Sequence, residues 1–217
     1  MTLILVRHGE TTWNAEQRYQ GQQESELSAL GRAQAEWTAD RVADSGATAL
    51  YSSDLRRAAD FAAVIGDRLG LAVETTPALR ERSGGVWEGL TWPEIVERFA
   101  DTAERWRTDP DFTPPGAESR QHMHERVVEF LERVAGRHPE DVIIAVTHGG
   151  VVNAALRYVM GASLVPSGRT RVDNGGITVL SHGRDGWRVN VFNDICHVRQ
   201  VASQPEAARD TTLWEHE

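Results

Sequence analysis

The sequence predicts an α/β fold, a three-layer α/β/α sandwich whose sheet is mostly parallel and carries an antiparallel hairpin at one edge. Two short runs, Leu3–Val6 and Val142–Val146, are wholly apolar and rich in β-branched residues. Strands covered on both faces have this composition, which is typical of parallel sheets. Helical spacing of apolar residues separates the strand candidates, and 217 residues suffice for one domain with a good core.

The first strand candidate ends in a polar turn. Leu3–Val6 leads directly into Arg7, His8 and Gly9. Ligands of parallel sheets bind beyond the carboxyl ends of the strands. Arg7 and His8 are therefore candidate binding residues.

The next predicted elements are a helix, a strand and a second helix. The first helix begins in Leu27–Gln34, with Ser28 as its N-cap, and runs to about Asp44. Ala49–Ser52 is a short strand candidate, and the helical spacing after it places Arg57 in the first turn of a second helix.

The start of the second helix leaves two choices open. Ser53 and Asp54 both suit an N-cap. Arg56 and Arg57 are adjacent on the helix, so their side chains diverge by about 100° and only one of them points to the sheet edge.

The later elements follow from the same patterns. They are a weak strand at Ala72–Val73, helices around Val127–Val134 and Asn153–Val159, and a strand pair, Thr178–Leu180 and Trp187–Phe192.

A second histidine also follows a strand. Val142–Val146 and Thr147 lead into His148, Gly149 and Gly150. Glu81, in the loop after the weak strand, is the carboxylate expected to join the two histidines at this edge.

Four motifs occur in an informative order, and short motifs gain weight only in such combinations. They are Arg7-His8-Gly9 with Asn14, Ser53-x-Leu55-x-Arg57-Ala58, Leu79-Arg80-Glu81 with Gly85-x-Trp87-Glu88-Gly89, and His148-Gly149-Gly150. Together they resemble the histidine phosphatase superfamily in its phosphoglycerate-mutase-like branch. The resemblance selects Arg57 over Arg56, and it implies a phosphoglycerate mutase-like fold.

The chemistry of a phosphomonoester dianion explains these residue types. Neutral imidazole is a good nucleophile, so His8 could attack phosphorus and carry the phosphoryl group. Arg7 and Arg57 offer planar, permanently charged donors to its oxygens. His148 would add a donor, most usefully as an imidazolium. Glu81 would protonate the leaving group and then deprotonate the attacking water, with Glu88 nearby more suited to ordering the loop.

Further residues are expected to bind the substrate. Asn14 can donate without adding charge, and Gly9 and Gly149 permit close approach of the backbone. By resemblance, the segment Gln20, Gly21 and Gln22 forms another wall. We expect neither a metal nor a cofactor to be needed.

One histidine pair invites a metal hypothesis, which the spacing disfavours. His122 and His124 are two residues apart on a predicted helix, so their side chains point away from each other.

The resemblance implies a metal-independent phosphomonoester hydrolase that acts through phosphohistidine on a small phosphorylated metabolite. Tyr19–Gln22, Glu26–Ser28 and Gly116–Arg120 resemble members acting on glucosyl-phosphoglycerate or other phosphosugars. A cofactor-dependent phosphoglycerate mutase is an alternative. Gly149-Gly150, where mutases usually have Gly-Asn, and the short segment ahead of His148 favour hydrolysis. A non-catalytic phosphate-binding module is the other alternative, although His8 is retained.

Composition narrows the class of protein. The net charge of −9 argues against nucleic-acid binding, and every basic residue is arginine, so an anionic substrate depends on a local arginine cluster. The N-terminus fits neither a signal peptide nor a membrane span, which predicts a cytoplasmic protein. Cys196, the single cysteine, is expected at an apolar strand position. Whether the chain forms a homodimer is left open.

The predicted domain covers residues 1–201, with a polar C-terminal tail at 202–217. A cap segment at about 87–120 holds five aromatic residues: Trp87, Trp92, Phe99, Trp106 and Phe112. They either pack the cap onto the sheet or line the cavity.

Overall fold

The computed structural model describes residues 1–109, 111–164 and 170–199. The predicted tail at 202–217 lies outside these ranges. The strands are β1 (Thr2–Arg7), β2 (Ala49–Ser53), β3 (Val73–Thr76), β4 (Val142–Thr147), β5 (Ile177–Gly183) and β6 (Gly186–Asp194). The helices are α1 (Thr12–Ala15), α2 (Ala29–Val42), α3 (Arg56–Leu69), α4 (Trp92–Arg98), α5 (Ala100–Thr108), α6 (Arg120–Arg137), α7 (Gly149–Met160) and α8 (Cys196–Arg199).

The six strands form one sheet in the order β3-β2-β4-β1-β5-β6. The first four of these are mutually parallel, and β5 and β6 add an antiparallel hairpin at one edge. The register pairs Arg7 at the end of β1 with Thr147 at the end of β4. His8 and His148 therefore leave neighbouring strands at the same level.

Helices cover both faces of the sheet. Side chains alternate along a strand, so Leu3 and Leu5 enter one core cluster with α6 and α7, while Ile4 and Val6 enter another with α2 and α3. All four of these β1 side chains are buried. This arrangement confirms the three-layer α/β/α fold with an edge hairpin.

A third cluster lies in the segment predicted as a cap. Trp87 and Phe112 are buried in it, and three partly buried aromatics, Trp92, Phe99 and Trp106, pack against them. The rings of Trp87 and Trp106 lie 5.3 Å apart in an edge-to-face arrangement. These aromatics mainly pack against one another, so the cap has a small core of its own.

Two sequence predictions were wrong in detail. The N-cap residue of α3 is Leu55 and not Ser53 or Asp54, and its side chain makes no capping hydrogen bond. The Leu55 amide instead donates to the Ser53 hydroxyl within the turn before the helix. Cys196 is exposed at the start of α8, since the strand ends at Asp194 and its carboxylate accepts the Cys196 amide in a turn.

Within the described ranges, no helix combines the length and apolar character that crossing a membrane requires.

Candidate active site

The two predicted histidines meet at the carboxyl ends of β1 and β4. The ring centroids of His8 and His148 are 5.0 Å apart, with the ring planes inclined by 66°. Both side chains are buried. The parallel register of the two strands thus produces a histidine pair beneath the surface.

The hydrogen bond of His8 fixes its tautomer. Its Nδ1 lies 2.7 Å from the carbonyl oxygen of Gly9. A carbonyl only accepts, so the proton of the neutral ring sits on Nδ1. Nε2 is left with its lone pair exposed to an incoming electrophile.

The environment keeps both rings neutral in the ligand-free protein. Burial lowers the pKa of His8 well below its usual value, and the charges of Arg57 and Arg7 lower it further. Burial and Arg57 likewise lower the pKa of His148. Protonation of His148, the form in which the sequence suggested it would donate best to a substrate, is opposed in the ligand-free protein by burial and by the neighbouring guanidinium groups.

The contacts of His148 are polar on one side of the ring only. Its Nε2 lies 2.9 Å from the Ser53 hydroxyl, while its Nδ1 is buried without a hydrogen-bond partner. Buried nitrogens without partners are rare in proteins, and they mark positions where a ligand can supply the partner.

Arg57 is the arginine that faces the site. It is only 1% exposed, and it donates to the carbonyls of Gln23 at 2.8 Å and Gly21 at 2.6 Å. Its Nε is buried without a partner. Burial lowers its pKa to about 10, so it is still charged at neutral pH. Arg56 points outward to Glu26.

Arg7 and Asn14 are held by two residues just before β5, Val172 and Asn174. Arg7 donates to the Val172 carbonyl at 2.5 Å. Asn174 donates to the His8 carbonyl at 3.0 Å and lies 3.4 Å from the Asn14 side-chain oxygen. That oxygen also accepts from the amide and hydroxyl of Thr11. The remaining polar atom of Asn14, its Nδ2, is a donor.

Glu81 bridges its own loop to the start of α7. Its carboxylate accepts from the Arg82 amide at 2.8 Å and from the Gly150 amide at 3.0 Å. A Cβ at Gly150 would lie 2.2 Å from this carboxylate. Glu81 is therefore hydrogen-bonded to the residue two positions after His148 in the chain, and the glycine makes room for its carboxylate.

Glu88 orders the loops, as the sequence suggested. Its Oε1 accepts from the amides of Gln22 and Gly84 and from the Ser83 hydroxyl. The Gln22 side chain donates to the Glu81 carbonyl at 3.1 Å.

The segment predicted to form a wall thus supports the site through its backbone and through Gln22. Gly21 supplies the carbonyl that receives Arg57. The side-chain oxygen of Gln20 is buried without a partner, which leaves it as a polar atom available to a ligand.

Two glycines were expected to permit close approach of the backbone to the substrate, and the structure shows what surrounds each of them. A Cβ at Gly9 would lie 2.5 Å from the Gly31 carbonyl, so Gly9 is needed for the approach of α2. A Cβ at Gly149 would make only ordinary contact with Arg7.

The two histidines of the rejected metal hypothesis have different neighbours. His122 is exposed and faces Glu118, whereas the ring of His124 packs against Tyr158.

Sequence reasoning missed two supports of the site. Ser53 was considered as a cap and as part of a family motif but not as a partner of His148, and Asn174 was not considered. The only signal for Asn174 is its place in Asn174-Gly175-Gly176, a polar turn directly before a strand. Its contact with His8 depends on the pairing of β1 with β5, which is not visible in the local pattern.

Two arginines, buried histidines and a carboxylate beyond the carboxyl edge of a parallel sheet suit a phosphate ester, because guanidinium groups match phosphate and ligands of such sheets bind at this edge. Residues 3–195 match the family model for the histidine phosphatase superfamily, branch 1. The chain belongs to the histidine phosphatase superfamily, as its motifs predicted.

Its relatives include phosphatases and a probable mutase. The metal-independent phosphoserine phosphatase of Arabidopsis thaliana is 34% identical, over 92% of this chain and 84% of that protein. A probable phosphoglycerate mutase of Yersinia enterocolitica is 34% identical, over 93% of this chain and 97% of that protein. A solved structure of a mycobacterial glucosyl-3-phosphoglycerate phosphatase complexed with VO3 shares 33% sequence identity with this chain and has a TM-score of 0.81. The match covers 88% of this chain and 98% of that chain.

Proposed function

We propose that this protein is a metal-independent phosphomonoester hydrolase that acts through a phosphohistidine on a small phosphorylated metabolite. The observation that carries the proposal is the tautomer of His8, whose Nδ1 is bonded to the Gly9 carbonyl and whose Nε2 is left as a nucleophile. Membership of the histidine phosphatase superfamily supports the same chemistry.

In the first step the substrate dianion lies among Arg7, Arg57, His148 and Asn14. Nε2 of His8 attacks phosphorus while the bond from phosphorus to the ester oxygen breaks. The carboxyl group of Glu81 transfers its proton to the departing oxygen, and the alcohol leaves. The buried Nε of Arg57 gains the acceptor that it lacks in the ligand-free protein.

In the second step water attacks the phosphohistidine. The Glu81 carboxylate, now without its proton, accepts a proton from the water as the phosphorus–nitrogen bond breaks. Phosphate is released and both side chains return to their starting states.

The physiological ester belongs to the phosphosugars or to compounds like glucosyl-phosphoglycerate, by resemblance. The mycobacterial relative is named for that compound and the plant relative for phosphoserine. The cytoplasmic location predicted from the sequence and the formation of a homodimer are further proposals, separate from the enzymatic one.

Phosphate release from a panel of phosphomonoesters in EDTA tests the function. The panel holds phosphosugars, nucleotides, phosphoserine and 3-phosphoglycerate. His8→Ala is expected to lower turnover by roughly a thousandfold or more while the protein stays folded. His122→Ala, an exposed histidine outside the site, is the matched control and should keep the wild-type rate.

Two results would contradict the proposal. The first is a His8→Ala rate near wild type, and the second is a loss of activity in EDTA that zinc or magnesium restores. Isomerisation of 3-phosphoglycerate without phosphate release would favour the mutase that the Yersinia relative's name suggests.

A further inference from the structure

Ser53 is the residue that contacts the second histidine of the site. It ends β2, and its side chain is 0% exposed. The Ser53 hydroxyl oxygen lies 2.9 Å from Nε2 of His148. The backbone amide of Leu55 donates to the same oxygen at 3.2 Å. Within the described ranges, the hydroxyl therefore has one backbone donor and one imidazole nitrogen as its neighbours.

The contact with Leu55 decides the direction of the bond between Ser53 and His148. A serine hydroxyl carries one proton to donate, and it accepts through the lone pairs of its oxygen. Because the Leu55 amide only donates, Nε2 of His148 is the acceptor within reach of the hydroxyl proton. The reverse direction would leave that proton buried without an acceptor, which is costly. Ser53 therefore donates to His148.

The direction of this bond fixes the tautomer of His148. A ring nitrogen that accepts a hydrogen bond carries no proton, so the proton of the neutral ring sits on Nδ1. Burial, with the charge of Arg57 beside it, keeps the ring neutral by lowering its pKa. Nδ1 is buried and has no hydrogen-bond partner in the described part of the chain. Neutral His148 thus holds an unused N–H donor.

The two histidines of the site then share a tautomer but differ in the atom that is free. In His8 the Gly9 carbonyl accepts the Nδ1 proton, which leaves the lone pair of Nε2. In His148 the Ser53 hydroxyl occupies the lone pair of Nε2, which leaves the Nδ1 proton. The ring centroids are 5.0 Å apart. One ring can therefore attack a phosphoryl group to which the other donates.

We propose that Ser53 is a positioning residue, which holds neutral His148 with its proton on Nδ1 so that this ring donates to a phosphoryl oxygen without first becoming an imidazolium. The inference rests on the proposed function and names the residue that directs its second histidine. The same hydrogen bond occupies the one lone pair through which neutral His148 could attack phosphorus. His8 is then the only nucleophile of the pair.

Nuclear magnetic resonance of protein labelled with nitrogen-15 histidine measures the tautomer directly. The nitrogen shifts distinguish a protonated from an unprotonated ring nitrogen, and the signals lost in His148→Gln are those of His148. In the ligand-free wild type at pH 7.5 we expect a protonated Nδ1 and an unprotonated Nε2. Ser53→Ala should shift the proton toward Nε2, because that nitrogen no longer receives a hydrogen bond.

A neighbouring serine and a conservative variant are the controls. Ser52 is also 0% exposed, but its hydroxyl donates to the backbone carbonyl of Ser53 at 2.8 Å. Ser52→Ala should therefore keep the wild-type tautomer of His148. Ser53→Thr retains a hydroxyl at the critical position and should keep it as well. Thermal unfolding verifies that each variant is folded.

Inorganic phosphate is the probe for the donor itself. Titration calorimetry at pH 8 is expected to show about tenfold or more weaker phosphate binding to Ser53→Ala than to the wild type, the size of one hydrogen bond to a charged group. Ser52→Ala should bind phosphate as the wild type does.

Turnover gives a third measurement. Ser53→Ala should lower kcat/KM for alkyl phosphates and for p-nitrophenyl phosphate by a similar factor, because His148 donates to the phosphoryl group and not to the leaving group. This pattern differs from the one expected when the acid Glu81 is removed, which depends on the leaving group.

Failure of this inference and failure of the proposed function are distinguishable. Phosphate release that is independent of His8 would overturn the proposed function. A proton on Nε2 of wild-type His148, or a tautomer or phosphate affinity that Ser53→Ala leaves unchanged, would overturn the role of Ser53 alone. Protonation of both ring nitrogens in the phosphate complex would show that His148 donates as an imidazolium, which also overturns it.

Discussion

At the scale of single residues, one buried environment produces two opposite charge states. Burial lowers the pKa of His8, which starts near neutrality, so this ring loses its charge. The same burial lowers the pKa of Arg57 only to about 10, so the guanidinium keeps its charge at pH 7. At pH 7 a neutral nucleophile, His8, and a cationic group, Arg57, therefore lie in the same buried environment.

Glu81→Gln tests the acid at this scale. The Arg82 and Gly150 amides donate to different oxygens of Glu81, so the glutamine amide keeps an acceptor for only one of them, and it has no acidic proton to give. We expect turnover of alkyl esters to fall by about 10²–10⁴-fold, whereas p-nitrophenyl phosphate, whose leaving group needs no proton, should lose much less. Steady-state kinetics on both substrates measure the difference. Equal losses would argue against an acid role.

Some residues of the candidate site could be predicted from the sequence and others could not. His8 and His148 were found because each follows a strand end, and local patterns placed Arg57 at the start of a helix, where the family resemblance selected it over Arg56. Asn174 was missed because its contact with the His8 carbonyl joins residues 166 positions apart. The lowered pKa of His148 was not foreseen either, since it depends on burial and on arginines from other elements.

At the scale of elements, the start of α7 is shaped around a side chain from another loop. Gly150 lies in the first turn of α7, where its amide donates to Glu81 and its missing Cβ leaves room for that carboxylate. The sequence alone identified Gly150 after His148 and Gly149, but it could not show that the Glu81 side chain occupies the space beside this glycine.

Gly150→Ala should displace the Glu81 carboxylate while leaving the fold intact. The added Cβ would lie 2.2 Å from a carboxylate oxygen, which must move away. We expect turnover of alkyl esters to fall by roughly ten- to a hundredfold through misplacement of the acid.

The control for this variant is Gly136→Ala in α6, where a Cβ meets no atom within 4 Å. It should keep wild-type kinetics and raise the free energy of unfolding by about 0.5–1 kcal/mol. Unchanged kinetics in Gly150→Ala would show that Glu81 needs no fixed position.

At the scale of the whole molecule, the histidine pair makes stability depend on pH. Both rings stay neutral in the folded protein because burial lowers their pKa. In the unfolded chain they take up protons near pH 6.5. The unfolded state then binds more protons, so the free energy of unfolding falls as the pH drops below about 6.5.

His148→Gln should weaken this dependence. Each buried histidine contributes a slope of up to about 1.4 kcal/mol per pH unit below pH 6.5. Urea unfolding at pH 7.0 and pH 5.5 measures the difference between variant and wild type. The exposed His122→Gln should retain the wild-type slope, and an equal slope in His148→Gln would show that the ring is charged when folded.

The position of β1 within the sheet also affects the order of events during synthesis. β1 precedes the other five strands along the chain, yet its neighbours are β4 and β5, and Val172 and Asn174 hold the residues at its end. β1 is therefore enclosed on both sides only once the chain has been synthesised through β5. A chain truncated before Val172 is therefore expected to lose both the β5 edge of β1 and these contacts to Arg7 and His8.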